Sequence, residues 1–158
     1  MKRFSTVFTA VAAVVSAIVL AGCGEVSKAE YTKNMQSALK PLNAQFKQLN
    51  NPTSSAMKST GVKMQQVADD IDHVDAPSDV QPLHDRLVKD LHTLGTLIVK
   101  LAPEMDKLNK DPSAFAQVQQ DMPGITEKFQ KTSNDLDAVM KSYAKHGYEF
   151  SKLSGITG

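Results

Sequence analysis

The side chains in this sequence that could do chemistry are a cysteine, four histidines and a cluster of aspartates, and their spacing limits what they can do. Asp70-x-x-His73 has the i,i+3 spacing that puts a carboxylate and an imidazole on one helix face, as in a metal-binding bundle. A di-metal bundle needs two such pairs and two further carboxylates, so this one pair is expected to be a solvated helix end. Asp69, Asp70, Asp72, Asp75 and Asp79 form an acidic cluster around it, without the glycine and terminal Glu of a calcium-binding loop. His84 and His92 are eight residues apart, about 80° around a helix. They do not point at one ion, and both are expected as partly exposed flanks of an apolar stripe. No metal site is expected. There is no H-E-x-x-H, no G-x-S-x-G, no Walker loop and no dinucleotide fingerprint. The inventory points away from an enzyme, and no catalytic residue is assigned.

The one cysteine, Cys23, allows no disulfide within the chain. It follows Lys2 and Arg3, a short positive segment, and an apolar run from Val7 to Leu20 interrupted by Thr9 and Ser16. That run is short of the roughly 20 apolar residues of a membrane span and has the form of an export signal. It ends in Leu20-Ala21-Gly22-Cys23, which resembles the lipobox of bacterial lipoproteins. The resemblance covers the first 24 residues. It implies a diacylglycerol thioether on Cys23, cleavage between Gly22 and Cys23, and a further acyl chain on the new amino group. Each buried methylene adds about 0.8 kcal/mol, and two or more chains anchor stably where one is marginal. Gly24 stands where lipoproteins kept in the inner membrane often have Asp, which leans toward an outer membrane if the source has one.

Met35 and His146 are a second pair of candidate ligands. Met35 lies near the start of the first helical run and His146 near the end of the last, ends that meet in an up-down-up-down bundle. The pair resembles the axial Met/His set of soluble b-type four-helix cytochromes, which implies haem. No attachment motif accompanies it, so a core Met and a His at a helix C-terminus are the plainer expectation, with no cofactor. The stretch Ala76-Pro77-Ser78-Asp79-Val80, with Leu83-His84-Asp85-x-Leu87, is similar to one in small helical lipoproteins of actinobacteria. That likeness implies no activity.

The elements that must position these residues are helices. Apolar residues recur every three or four positions in four runs. The first holds Tyr31, Met35, Ala38/Leu39, Leu42, Phe46 and Leu49; the second holds Met57, Met64, Val67, Ile71 and Val74. The third takes in Val80, Leu83, Leu87, Leu91, Leu94, Ile98, Leu101, Met105 and Leu108. The fourth takes in Phe115, Val118, Met122, Ile125, Phe129, Thr132, Leu136, Val139 and Tyr143. Asn51-Pro52 and Asp111-Pro112 each set a capping side chain before a helix-starting proline, and Ser78-x-x-Gln81 reads as a capping box. Acid-before-base pairs at i,i+4 (Asp85–Lys89, Asp106–Lys110, Glu127–Lys131, Asp137–Lys141) mark solvent faces. Pro103 and Pro123-Gly124 fall inside runs whose phase continues, so they read as kinks or short breaks. Gly95, in mid-run, could allow a close helix approach.

Short loops make neighbouring helices antiparallel, so the expected fold is all-α, an up-down-up-down four-helix bundle after a cleaved signal peptide. Residues 1–22 are the signal peptide, 23–30 the lipidated Cys and tether, 31–150 the bundle and 151–158 a flexible tail. The third and fourth runs are longer than the others. Their excess, residues 103–122, projects beyond the bundle or folds over its far end, and carries Met105, Phe115 and Met122 as a candidate surface for a protein partner. Without Lys2 and Arg3 the 18 basic residues become 16 against 17 acidic ones, a balance of −1. That near-neutral charge gives no pull toward nucleic acid. The function expected is a membrane-anchored interaction or structural module on the extracytoplasmic face of a cell envelope. The alternative is a carrier of lipid, haem or metal between the helices.

Overall fold

The computed structural model describes residues 26–48, 53–122 and 124–150. Gly22, Cys23, the Asn51-Pro52 cap, Pro123 and the tail 151–158 lie outside the described residues. Within them the chain is all-helical: α1 (Lys28–Gln48), α2 (Ser54–Asp72), α3 (Gln81–Lys110), a 3-10 turn (Pro112–Ala114), α4 (Phe115–Asp121) and α5 (Ile125–Lys145). α1 starts three residues before Tyr31, inside the stretch expected to be tether.

The apolar spacing becomes the core. Tyr31, Met35, Leu39 and Leu42 of α1 are sealed from solvent. So are Met64, Val67 and Ile71 of α2, Leu87, Leu91 and Leu94 of α3, and Leu136, Val139 and Tyr143 of α5. Each large apolar side chain so buried stabilises the fold by about 1.5–3 kcal/mol before conformational entropy is set against it. α3 is the central element and packs against α2 and α5; α1 packs on α2. The suggestion that Gly95 allows a close approach holds. It meets Gly61 of α2, and a Cβ built on either glycine would sit 2.6 Å from the other's carbonyl oxygen.

Three local expectations shift. The N-cap of α2 is Thr53, whose hydroxyl accepts from the Ala56 N–H at 3.1 Å. α3 begins at Gln81, later than Ser78-x-x-Gln81 places it, with Val80 at the cap position and the Gln81 amide donating forward to Asp85. Lys131 pairs with Asp135 at 2.9 Å, a nearer approach than any to Glu127, whereas Asp137–Lys141 pairs as expected. Asp111 does cap, accepting from the Ser113 N–H, but what it starts is the 3-10 turn.

Prolines behave unequally. Pro41 and Pro103 both lie inside continuous helices, and Pro41 was not among the interruptions expected. The Pro123-Gly124 pair divides the fourth run in two: α4 ends at Asp121, and Gly124 takes a φ of +79° before α5. That left-handed conformation is open to glycine because it has no Cβ. α3 has 30 residues against 19 in α2, so its last turns outrun the neighbouring helix. The 3-10 turn and α4 fold back on this extension, and among the described helices α3 alone is their neighbour outside the turn itself. Val118 faces inward there, while Phe115 stays 56% exposed.

Candidate functional site

Chemically capable side chains converge at one end of the molecule. Tyr31 comes from the first turn of α1, His84 from the first turn of α3 and Tyr143 from the last turn of α5. The Tyr31 hydroxyl lies 2.9 Å from His84 Nδ1 and 2.8 Å from the Tyr143 hydroxyl. The imidazole also faces the backbone carbonyl of Ile71, in the last turn of α2. α1, α3 and α5 thus contribute to one hydrogen-bonded chain, with the end of α2 beside it.

His84 corrects the expectation of a partly exposed flank: it is 2% exposed. Counting back from Leu87 along a 3.5-residue stripe, positions 83 and 84 compete for the core. His84 wins because the Tyr31 hydroxyl meets its Nδ1, and Leu83 is left half-buried. A buried polar group is tolerated when it is bonded in this way. His92 keeps its expected partial exposure. Its Nε2 meets Asp69 Oδ1 at 2.8 Å, an α2–α3 contact that the spacing of the acidic cluster did not reveal.

A helix end lays further aromatics on the cluster. Gly147 has a φ of +74°, its N–H donates to the Ala144 carbonyl, and the Tyr148 N–H donates to Tyr143. This left-handed glycine cap turns the chain back over the helix end. Residues 146–150 become a strap. Tyr148 stands edge-on to Tyr31 at 5.6 Å between centroids, and Phe150 edge-on to Tyr143 at 4.9 Å. Tyr148 donates to Asp79 at 3.0 Å. Lys28 donates to the His146 carbonyl at 2.8 Å and sits 4.7 Å over the Tyr148 ring, and Gln36 donates to the Glu149 carbonyl. Reading the sequence missed this strap, although His146-Gly147 directly after a helical run is the signal that could have found it.

Burial governs the electrostatics. It pushes the Tyr31 phenol up to about 12, against a hydrogen bond from Tyr143 that acts the other way. The Tyr143 phenol is held still higher, by burial and by donating to Tyr31. His84 is held below the ordinary imidazole value by burial, opposed by Asp85, Asp72 and the Ile71 carbonyl. At neutral pH all three groups are uncharged. Beside them a cleft of about 330 Å³ opens to solvent, walled by Asp72, Asp75, Gln81 and Asp85, with His84 in its lining.

The other candidates disperse. His73 caps α2 and bonds the Asp69 carbonyl at 2.6 Å, so Asp70 and His73 are indeed a helix end. No group of three or more His, Cys, Asp or Glu side chains among the described residues is placed to hold a metal ion. Met35 is sealed in the core, whereas His146 is exposed at the end of α5 with Nδ1 on the Ser142 carbonyl, so the two have opposite surroundings. A residue not singled out from sequence is Asp90. It is 9% exposed, with Oδ2 lacking a hydrogen-bond partner, and its carboxyl is held above the usual value by burial and by Asp135.

The chain matches no protein-family model, no curated protein and no solved structure.

Proposed function

We propose that this chain is a lipid-anchored, non-enzymatic helical module on the extracytoplasmic face of a bacterial cell envelope, holding a protein partner near the membrane. The anchor reading rests on Leu20-Ala21-Gly22-Cys23 and the apolar run before it. No helix among the described residues is long and apolar enough to cross a membrane. The module is read as an up-down-up-down four-helix bundle with α4 as an extension of the fourth column. Its support is that the starts of α1 and α3 and the ends of α2 and α5 all feed one cluster.

One observation carries the module reading. Among the described residues the helices pack apolar side chains against one another, and Tyr31, His84 and Tyr143, the polar groups where the four long helices meet, are spent on one another. A carrier of lipid, haem or metal would need room there, and no specific observation favours it. The partner surface is assigned to residues 103–122, where Phe115 stands exposed on a lobe that, among the described helices, α3 alone supports.

Replacing Cys23 tests the anchor. Cys23→Ala should abolish fatty-acid labelling of the full-length chain and leave its precursor uncut, and normal labelling would overturn it. A photo-cross-linking residue in place of Phe115 tests the partner role in cells. A discrete protein adduct supports it, and its absence alongside normal anchoring overturns it.

A further inference from the structure

His84 is the one buried imidazole among the described residues of the terminal cluster, and an imidazole is the side chain that takes up a proton in mildly acidic solution. With the ring proton on Nε2, Nδ1 is an acceptor and takes the Tyr31 hydroxyl proton. The Tyr31 oxygen then accepts from Tyr143. The chain runs from Tyr143 through Tyr31 to His84 Nδ1, and both hydroxyl donors have an acceptor.

An imidazolium has no acceptor. Once protonated, Nδ1 donates to Tyr31, so the Tyr31 hydroxyl must turn toward Tyr143. The Tyr143 hydroxyl is then left without an acceptor, since Tyr31 is its one hydrogen-bond partner among the described residues. Its ring neighbours are Tyr31, Tyr148 and Phe150, and the Tyr148 hydroxyl is already committed to Asp79. Tyr148 and Phe150 are the rings by which the strap sits on Tyr31 and Tyr143.

We propose that His84 is an acid-sensitive latch, whose protonation reverses this hydroxyl chain and unseats the strap, residues 146–150, from the end of the molecule that also carries Val26.

The groups that face the imidazole fix the sign. α1 presents Tyr31, α2 presents Asp72 and the Ile71 carbonyl, and the α2–α3 connection presents Asp75. Asp85 comes from α3 itself, Tyr143 from α5, and Asp79 reaches the cluster through Tyr148. Asp72 and Asp85 favour the cation and burial disfavours it, with burial the larger influence. The unfolded chain therefore takes up this proton below its ordinary value of 6.5 while the folded chain resists it. Stability falls as pH drops from there through the folded value. The cleft beside the ring gives the proton its route.

The sequence supplies its own probe. It has three tyrosines and no tryptophan, and Tyr31, Tyr143 and Tyr148 all belong to this cluster. Near-ultraviolet circular dichroism of the full-length chain in mild detergent therefore reads the latch alone, and the far-ultraviolet signal reads the helices. As pH falls from about 7.5 to the point where the helical signal itself begins to fall, most of the tyrosine band should be lost. His84→Asn keeps an acceptor near Nδ1 but takes no proton in that range, so it should hold the band. A wild-type band that does not change, or one lost equally in His84→Asn, overturns the latch. Should His84→Asn not fold, proton NMR of the wild type decides. The His84 ring must titrate together with tyrosine ring shifts, and titration without them overturns the proposal.

Discussion

Gly61 and Gly95 meet where α2 crosses α3, each so close to the other's backbone that a Cβ would lie 2.6 Å from the opposing carbonyl oxygen. The α2–α3 crossing is thus built on the absence of two side chains. Alanine gains about 1 kcal/mol over glycine in helix propensity. Here it must also push two backbones apart, and overpacking of that kind costs about 1–3 kcal/mol. Gly95→Ala should therefore lower the urea midpoint despite its better propensity, and Gly61→Ala should do the same. Because both enforce one displacement, the double variant should lose less than the sum.

Tyr31 is the middle of the hydroxyl chain, so removing its oxygen strands two groups. Tyr31→Phe leaves His84 Nδ1 and the Tyr143 hydroxyl buried without a partner. An unsatisfied buried polar group costs about 1–3 kcal/mol. Tyr143→Phe leaves the Tyr31–His84 bond in place and should cost less. Urea unfolding of the two variants at neutral pH checks the order: Tyr143→Phe as the more destabilised would contradict the chain.

The apolar stripes were legible because burial at 3.5-residue spacing leaves a trace in one sequence, and Met35, Leu42, Leu91 and Leu136 all fall where the spacing puts them. What pairs across helices leaves no such trace. Gly95 could be singled out, but Gly61 as its counterpart could not. Tyr31 was visible as an apolar position, while its hydroxyl, which makes a buried His84 tolerable, becomes meaningful once α1 lies beside α3. Where two adjacent residues compete for one core position, as Leu83 and His84 do, hydrophobicity ranks them wrongly because it ignores the partner. The cap at Thr53 is hidden for a local reason: Asn51 before a proline carries the stronger capping pattern, yet the hydroxyl one residue after that proline does the capping.

Asp90 works against the fold at neutral pH. Its folded-state carboxyl is held above the ordinary 3.8 by burial and by Asp135, with Arg86 opposing. A group shifted up on folding favours the native state while it is protonated, and that contribution is lost as pH rises through the folded value. Asp90→Asn should raise the thermal midpoint at neutral pH, and the gap to wild type should close as pH falls below the unfolded value. A gap that persists in acid would mean that shape, not charge, sets the effect.

Phe115 and Val118 separate partner binding from stability on a single short helix. Phe115 is 56% exposed and Val118 is 8% exposed, both on α4 against the extension of α3. Exposed side chains away from caps and networks change stability by about 0.5 kcal/mol or less. Phe115→Ser should therefore leave the urea midpoint in place, whereas Val118→Ser should lower it by removing a buried contact. If the lobe recruits a protein, Phe115→Ser should also abolish pull-down of whatever the wild-type lobe cross-links in cells. Retained pull-down with an unchanged midpoint would make Phe115 a bystander and move the partner surface elsewhere.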